Sequence, residues 1–409
     1  MVASGAVSLA PLFLIAACPS LGEIGVGAPA DAAVDRAPDH TRPDGGADAR
    51  AEAADTAVRD AGVDTTSCDA DTGSDPSNCG RCGHDCLGGG CSAGACQPVV
   101  LYTGGTPTGI VVDGPTLIVT VQGSLPDGGY VFRCTAADCG STKTVLATGF
   151  ADPWFSAKEG ASVYWVDFGG NDAATTPGSV LGCPENGCPD AGPVLYPLEG
   201  GGPEGGSNYT GLAVDSTYVY WASITNLIGS IYRCAPTECA GTLAQLGSGF
   251  GIPYAVAVDA SYVFWINLDT SQVLRCGLPS CGDNPEIFAN VDLASTSVPL
   301  SGLALHDGTV YWTEGVADGG VFRCPTSGCG GAPTTVATHQ EDPSFVAVDD
   351  SGVYWVNSGS DTIAHCPLAG CAEPTVIART HAPFAIALDP LNVYFTSSTV
   401  VGEVLRVAK

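Results

Sequence analysis

Short apolar segments recur along most of the chain, each pair of them separated by an acidic or polar residue and a turn. The segment Tyr354-Trp355-Val356-Asn357 has counterparts that open at Ile118, Tyr164, Tyr220, Phe264, Tyr311 and Tyr394. Five residues before these openings stand Asp113, Glu159, Asp215, Asp259, His306, Asp349 and Asp389. Each copy therefore predicts a short strand, a tight turn, and a second strand that opens with large side chains.

The number and spacing of the copies predict an all-β fold, a seven-bladed β-propeller over residues 98–409. Repeats of roughly 40–56 residues with four short strands each are typical of propeller blades. The seventh copy stops at a third strand, Val404-Leu405-Arg406-Val407, whereas residues 99–103 match the fourth strand of the first blade. We therefore expect residues 99–103 to complete the last blade and close the ring, which removes exposed sheet edges.

Three kinds of side chain recur at fixed positions of the repeat, and we interpret each of them as structural. The aromatic pairs are predicted to pack between blades, because alternate residues of a central strand face the neighbouring sheets. The acidic residue before each turn is predicted to accept hydrogen bonds from turn amides. An arginine that precedes the position of the third-strand cysteine is predicted to satisfy acceptors within its own blade; this set is Arg133, Arg233, Arg275, Arg323 and Arg406.

Cysteine usage predicts disulfides and an oxidising compartment. Of the 19 cysteines, twelve form C-x4-C pairs across a turn between the third and fourth strands. The pairs are Cys134/Cys139, Cys183/Cys188, Cys234/Cys239, Cys276/Cys281, Cys324/Cys329 and Cys366/Cys371. Even numbers in fixed places favour disulfides and an extracytoplasmic protein. A turn with two cysteines also lacks the four ligands of a structural zinc.

Residues 68–97 carry six more cysteines: Cys68, Cys79, Cys82, Cys86, Cys91 and Cys96. A segment this small cannot build a sufficient apolar core, so three disulfides are predicted, with the pairing left open. Zinc bound by Cys79 and Cys82 with His84 or Cys86 is the alternative. The run Asn78-Cys79-Gly80-Arg81-Cys82-Gly83-His84-Asp85-Cys86 resembles the Stig1-type cysteine module, which is also common in secreted myxobacterial proteins.

The N-terminal region predicts export. The apolar run Val7 to Ala17 has the length of a signal-peptide core, and Leu14-Ile15-Ala16-Ala17-Cys18 resembles a bacterial lipobox, which implies acylation of Cys18. No Lys or Arg precedes this run, so an ordinary secretory signal over residues 1–18 is the alternative. Residues 19–67 are rich in Ala, Asp, Pro and Gly, which predicts a disordered tether. Together these segments look like a myxobacterial-type surface lipoprotein, anchored in the cell envelope with the outer membrane as the expected site.

The repeat also carries a family resemblance. Tyr311-Trp312-Thr313-Glu314, followed by Gly320-Val321-Phe322-Arg323, resembles the YWTD class of propeller. That class has six blades and lacks a C-x4-C turn in every repeat, so this chain departs from it in both respects. The resemblance implies a protein partner.

Charge excludes several functions. Only 14 Lys and Arg stand against 43 Asp and Glu, for a formal net charge of -29. This balance repels nucleic acid and anionic membrane surfaces, so membrane contact is expected through a lipid anchor only. No cofactor is predicted; the acidity is compatible with calcium, but the chain has no EF-hand or RTX pattern.

The candidate site lies in the parts that do not repeat. Connections between blades and between the second and third strands share one face of a propeller, and they vary most here. The candidate partner-binding residues on this face are Trp154, Phe168, Asn171, Asp172, Tyr254, Phe345 and Phe384. The predicted function is a monomeric, membrane-anchored binding or scaffold protein that holds a protein or glycan.

The alternative function is a hydrolase or lyase with a site at the channel mouth. His339 and His381, with Glu341 and Asp342 nearby, are the only set that could serve as acid, base or metal ligand. The chain has no G-x-S-x-G, HExxH or P-loop motif, and no catalytic residue or metal site is predicted.

Overall fold

The fold is a ring of seven four-stranded antiparallel sheets, so the seven-bladed prediction is confirmed. The computed structural model describes residues 71–123, 128–168, 178–188, 194–196, 208–225, 228–282, 284–290 and 300–409. Cys18, Cys68, Asn171, Asp172 and the predicted tether lie outside these residues. Within them, no helix has the length and apolar character needed to cross a membrane.

Three short strands precede the first complete blade. They are β1 (Cys91–Ser92), β2 (Ala95–Cys96) and β3 (Val99–Thr103). Blade 1 contains β4 (Thr106–Asp113), β5 (Thr116–Gln122), β6 (Gly129–Thr135) and β7 (Thr144–Phe150). Blade 2 contains β8 (Pro153–Glu159), β9 (Ser162–Asp167), β10 (Ser179–Pro184) and β11 (Val194–Tyr196). Blade 3 contains β12 (Asn208–Val214), β13 (Val219–Thr225), β14 (Ile228–Cys234) and β15 (Ala244–Ser248).

The later blades repeat this order of strands. Blade 4 contains β16 (Pro253–Val258), β17 (Tyr262–Asn267), β18 (Gln272–Gly277) and β19 (Glu286–Asn290). Blade 5 contains β20 (Leu300–His306), β21 (Thr309–Glu314), β22 (Gly319–Pro325) and β23 (Thr334–Gln340). Blade 6 contains β24 (Pro343–Asp349), β25 (Gly352–Asn357), β26 (Thr362–Cys366) and β27 (Thr375–Arg379). Blade 7 contains β28 (Pro383–Leu388), β29 (Asn392–Ser397) and β30 (Glu403–Ala408). Two short helices are also present: α1 (Cys139–Thr142) lies in blade 1 and α2 (Cys239–Thr242) lies in blade 3.

The ring closes with β3 as the fourth strand of blade 7, as the sequence predicts. Val99 pairs with Arg406 and Thr103 pairs with Glu403. The first strands of neighbouring blades contact one another around the whole ring, so they line the central channel. At the seam, Lys143 Nζ lies 3.2 Å from the hydroxyl of Tyr102 on the closing strand.

Aromatic residues of the second strands fill the spaces between blades. Trp165, Trp221, Trp265, Trp312 and Trp355 are each no more than 1% exposed. Neighbouring rings pack against them: the Phe150 and Trp165 centroids lie 5.3 Å apart, and those of Phe250 and Trp265 lie 5.0 Å apart. The predicted packing role of these residues is confirmed.

In blades 3, 4, 6 and 7 the aspartate at the end of the first strand accepts hydrogen bonds from amides of the turn to the second strand, as predicted. Asp215 accepts hydrogen bonds from the amides of Thr217 and Tyr218, each at 2.7 Å. Its second oxygen accepts the hydroxyl of Tyr220 at 2.8 Å. Asp389 is bonded in the same way, with Tyr394 as the hydroxyl donor. In these copies the acidic residue and the first aromatic form one hydrogen-bonded unit.

Three of the third-strand arginines reach the next blade, which corrects the expectation that these residues bind only within their own blade. Arg275 donates to the carbonyl of Thr326 in blade 5, and Arg323 donates to that of Leu368 in blade 6. Arg406 donates to Ala136 of blade 1 at 3.4 Å. All three acceptors are the second residue after the first cysteine of a C-x4-C turn. Arg275 additionally binds Glu286 within its own blade.

Every C-x4-C pair is bonded within its own turn, as the sequence predicts. The disulfides are Cys134–Cys139, Cys183–Cys188, Cys234–Cys239, Cys276–Cys281, Cys324–Cys329 and Cys366–Cys371. The first cysteine of each pair is buried at the end of a third strand. The second differs between blades: Cys139 is buried at the start of α1, whereas Cys188, Cys281 and Cys329 lie in the turns outside any strand and are only partly buried.

These disulfides all lie at one end of the propeller and so distinguish its two ends. We call the end with the C-x4-C turns the stapled face, and the opposite end the loop face. The disulfide-rich character predicted from the sequence is confirmed and indicates an oxidising, extracytoplasmic compartment.

The segment before the propeller is also disulfide-bonded. Cys79 pairs with Cys91 and Cys86 pairs with Cys96, and Cys82 is in a disulfide as well. The alternative of a zinc site therefore does not hold, because the thiolates it needs are consumed. His84 instead places its ring nitrogens 2.6 Å from the carbonyl of Cys79 and 2.7 Å from that of Lys409, so it joins this segment to the propeller.

Candidate functional site

Aromatic side chains from four blades meet where the central channel opens on the loop face. Trp154 and Phe155 come from β8, Tyr254 from β16, Phe345 from β24 and Phe384 from β28. Phe168 follows β9 on the same face. We call these six residues the aromatic floor.

A β-bulge at the start of each first strand directs these side chains into the channel. The register between the first and second strands shifts between Pro153 and Ser156 in blade 2 and between Pro343 and Val346 in blade 6. The same shift occurs in all seven blades. A bulge leaves a residue unpaired and changes the direction of its side chain, and bulges are common beside functional sites.

The rings of the floor contact one another across the channel. The ring centroid of Phe155 lies 5.4 Å from that of Tyr254 and 6.2 Å from that of Phe345. Blades 2 and 6 are not neighbours, so the contact with Phe345 crosses the channel axis. Phe384 completes the set, 4.6 Å from Phe345 and 5.1 Å from Trp154. The rings therefore obstruct this end of the channel and present a surface to the loop face.

The floor is only half-buried. All six of its side chains retain some exposure, in contrast to the tryptophans between the blades. Trp154 stacks on Phe168 at 5.1 Å with an interplanar angle of 27°. Burial raises the pKa of the Tyr254 hydroxyl. A half-buried aromatic surface of this kind is available to a ligand that approaches from the loop face.

Two carboxyl groups flank the floor, each on the residue before a first-strand proline. Asp152 accepts a hydrogen bond from Trp154 Nε1 at 2.6 Å, which fixes the indole ring. Burial raises the pKa of Asp152 to about 6; the Trp154 bond opposes this shift and the nearby charge of Asp167 adds to it. Burial also raises the pKa of Asp342 on the opposite side. Partly buried acids with shifted pKa values are common in binding and catalytic sites.

The loop face holds two exposed histidine–aspartate pairs. His339 Nδ1 lies 2.8 Å from Asp318, and His381 Nδ1 lies 3.1 Å from Asp361. The histidine side chains are 83% and 82% exposed. In the part of the chain that the structure describes, the one cluster of three or more potential metal ligands is Cys79, Cys86 and Cys96, all in disulfides. The geometry thus gives each histidine its own carboxylate rather than a shared set of ligands.

The two faces differ in their basic residues. The described carboxylates of the loop face are Asp152, Asp167, Asp269, Glu314, Asp318, Glu341, Asp342, Asp361 and Glu403. Of the described Lys and Arg residues in the propeller, Arg379 is the one at this face. The others lie near the turns between first and second strands or between third and fourth strands, at the stapled face. The stapled face mixes both signs, whereas the loop face is acidic around an aromatic centre.

The structure brings together five of the seven residues that the sequence singles out: Trp154, Phe168, Tyr254, Phe345 and Phe384. Asn171 and Asp172 lie outside the described residues. Sequence reasoning missed Phe155 and Asp152. A signal for both exists, because the stretch Asp152-Pro153-Trp154-Phe155 places an acid and two aromatics around a proline, and proline opens the first strand in four of the seven blades.

Comparisons with known proteins report on the fold. No protein-family model matches the sequence, and no curated protein does. A catalytically inactive variant of virginiamycin B lyase from Staphylococcus aureus, with quinupristin, superposes with a TM-score of 0.58 at 14% identity, over 76% of this chain and 98% of that one. The WD40 propeller domain of Doa1 gives 0.54 at 11% identity, over 75% and 96%.

A nidogen–laminin complex is also among the neighbours, with a TM-score of 0.41 at 19% identity, over 54% of this chain and 82% of that one. That superposition is too loose to bear on function. Taken together, these similarities show a β-propeller and leave its activity open, because propellers of the same architecture perform unrelated functions.

Proposed function

We propose that this protein is an extracytoplasmic binding protein that holds a partner, a protein or a glycan, on the loop face of its propeller. The aromatic floor carries the proposal: six half-buried rings from four blades converge at one opening, on a rigid ring of stapled sheets. Half-exposed aromatics are the residue type that dominates binding energy at interfaces. YWTD-like repeats favour a protein as the partner.

We further propose that acylated Cys18 anchors the protein in the cell envelope. The lipobox-like sequence and the extracytoplasmic disulfides support this part of the proposal. Labelling of cells with a fatty-acid analogue tests it directly, since a Cys18→Ala variant should lose the label and leave the membrane fraction. Retention of the label in that variant would contradict the anchor.

Crosslinking on intact cells tests the binding function. The variant Trp154→Ala/Phe384→Ala should lose the crosslinked partner or reduce its yield at least about tenfold, because truncating central aromatics typically costs more than about 1–2 kcal/mol of binding. Leu391→Ala is the matched control, because Leu391 is an exposed apolar residue on the stapled face. Equal yields from both variants would place the partner elsewhere.

A second candidate function is a lyase or hydrolase at the same opening. The observation that favours it is Asp152, whose pKa near 6 suits proton transfer close to neutral pH. Virginiamycin B lyase shares the architecture, so quinupristin is a reasonable first substrate. Turnover by the wild-type protein that disappears in Asp152→Asn would support this candidate, and unchanged quinupristin would count against it.

A further inference from the structure

We infer that the loop face is built for a basic protein segment, in which a Lys or Arg lies next to an aromatic or apolar side chain that contacts the aromatic floor. The inference rests on the proposed binding function and specifies its partner. Three observations carry it: the sign of the charge on this face, the carboxyl groups beside the floor, and the exposed faces of the rings.

The charge of the loop face selects a cationic partner. Described carboxylates of blades 2, 4, 5, 6 and 7 lie on the loop face, and Arg379 is the one described Lys or Arg side chain of the propeller at this face. Complementary charge raises association rates and excludes partners of the wrong sign. The chain as a whole adds to this field, with a formal net charge of -29. An acidic or phosphorylated partner would be repelled.

The two carboxyl groups beside the floor have no cation of their own among the described residues. None of the ion pairs in that part of the chain includes Asp152 or Asp342. Asp152 is instead surrounded by Trp154, Gln122 and the like-charged Asp167. Ionising a half-buried carboxyl without a cation is unfavourable, and an ammonium or guanidinium group from a partner would remove that cost.

The aromatic rings would contact both the cationic group and the apolar side chain of the basic segment. Trp154 Nε1 donates to Asp152, so a cation that pairs with this carboxylate lies within reach of the indole ring. Cations are attracted to aromatic faces, best to Trp, with about 0.5–2 kcal/mol of stabilisation. A neighbouring apolar side chain of the partner would cover the exposed parts of Phe345 and Phe384 and remove them from water.

Titration of Asp152 should make this binding dependent on pH. With a pKa of about 6, the carboxyl is largely neutral near pH 5 and ionised above pH 7. A bound cation favours the ionised form, so affinity should rise as pH increases through this range. The groups that face Asp152 are Asp167, Gln122 and Trp154, and only Asp167 among them is ionisable. Asp342, whose pKa burial also raises, should contribute in the same direction.

Fluorescence anisotropy with three labelled peptides tests the inference. The probe carries one phenylalanine between two arginines, the second peptide has glutamates in place of the arginines, and the third has alanine in place of phenylalanine. We expect the probe to bind at least about tenfold more tightly than either comparison peptide, equivalent to about 1.4 kcal/mol. Its affinity should fall with rising salt and weaken at least about threefold between pH 7 and pH 5.

Variants of the full chain test which residues bind the probe. Trp154→Ala should weaken binding of the probe at least about tenfold. Asp152→Asn should weaken it at pH 7 and flatten its pH dependence. Asp350→Asn is the matched control, because it removes one exposed carboxylate from the stapled face and should leave binding unchanged. Thermal denaturation of each variant verifies that it is folded.

Some experimental results would contradict the basic segment without contradicting the proposed binding function. Equal affinity for the arginine and glutamate peptides, or no binding of the probe, would overturn the basic segment. Binding of a neutral oligosaccharide alone would do the same, as would concentration-dependent self-association that Trp154→Ala abolishes. In each case the proposed binding function is decided separately, by whether crosslinking on cells depends on Trp154 and Phe384.

Discussion

At the scale of single residues, one repeated position has different surroundings in different blades. Trp355 Nε1 donates to Gln340 at 3.2 Å and to Asn357 at 3.0 Å. The indole nitrogens of Trp165, Trp221, Trp265 and Trp312 have no hydrogen-bond partner among the described residues. The difference follows from the preceding blade, because Phe150 and Phe250 pack where Gln340 lies beside Trp355. Blade 6 therefore has a polar contact where blades 2 and 4 have an apolar one.

Trp355→Phe should be more destabilising than Trp265→Phe. Both changes remove similar volume from a fully buried site, but only the first leaves Gln340 and Asn357 without their indole donor. A lost hydrogen bond to buried acceptors costs about 1–2 kcal/mol. The free energies of unfolding of the two variants, measured in denaturant, should differ by about 1 kcal/mol or more. Equal costs would show that the polar contact contributes nothing.

At the scale of elements, three of the C-x4-C turns also accept a hydrogen bond from an arginine of the preceding blade. The disulfide Cys366–Cys371 closes the turn that contains Leu368, and Arg323 of blade 5 donates to the Leu368 carbonyl. Arg406 and Ala136 repeat this arrangement across the ring seam. The repeated arginine and the repeated disulfide are thus parts of one contact between blades.

Replacing Arg323 by Met should destabilise the propeller by about 1–2 kcal/mol, because a hydrogen bond from a charged group to the next blade is lost. Arg133 occupies the same strand position in blade 1, yet none of the hydrogen bonds between described residues involves its side chain. Arg133→Met is therefore the matched control and should change stability by less than about 0.5 kcal/mol. Thermal or denaturant melts check both, and a large cost for Arg133→Met would refute the assignment.

At the scale of the whole molecule, stability depends on closure by the strand that precedes blade 1. Leu101 on β3 is 8% exposed and packs with Phe132 of blade 1 and Val404 of blade 7. Its neighbour Val100 points outward and is 49% exposed. The two residues lie on one strand, but only Leu101 contributes to the core between the first and last blades.

Leu101→Asp should therefore open the ring, whereas Val100→Asp should be tolerated. A charge in a dry core costs at least about 3 kcal/mol, while a surface substitution usually stays within about 0.5 kcal/mol. An opened ring exposes the edge of β30, so Leu101→Asp should also self-associate. Melting temperature and sedimentation velocity check the two effects. A monomeric, fully stable Leu101→Asp protein would mean that closure does not support the fold.

Local spacing made much of this architecture predictable. The acidic residue, the aromatic pair and the C-x4-C turn recur at fixed offsets, and each offset corresponds to a strand, a turn or a hairpin. Blade number, ring closure at residues 99–103 and the burial of the tryptophans follow from these offsets. The candidate site was only partly predictable: Trp154, Tyr254, Phe345 and Phe384 were recognisable as residues near the channel, but their mutual contacts were not.

The sequence by itself determined the number of blades, the strand that closes them and the disulfide-rich character, because these depend on residues close together in the chain and repeated many times. Only the tertiary structure decided that Phe155 touches Tyr254 and Phe345, that Arg323 reaches the neighbouring turn, and that the partly buried Asp152 binds Trp154. Such contacts join separate blades or depend on a bulge that redirects a strand. The curvature of the ring sets their distances, and no local pattern encodes it.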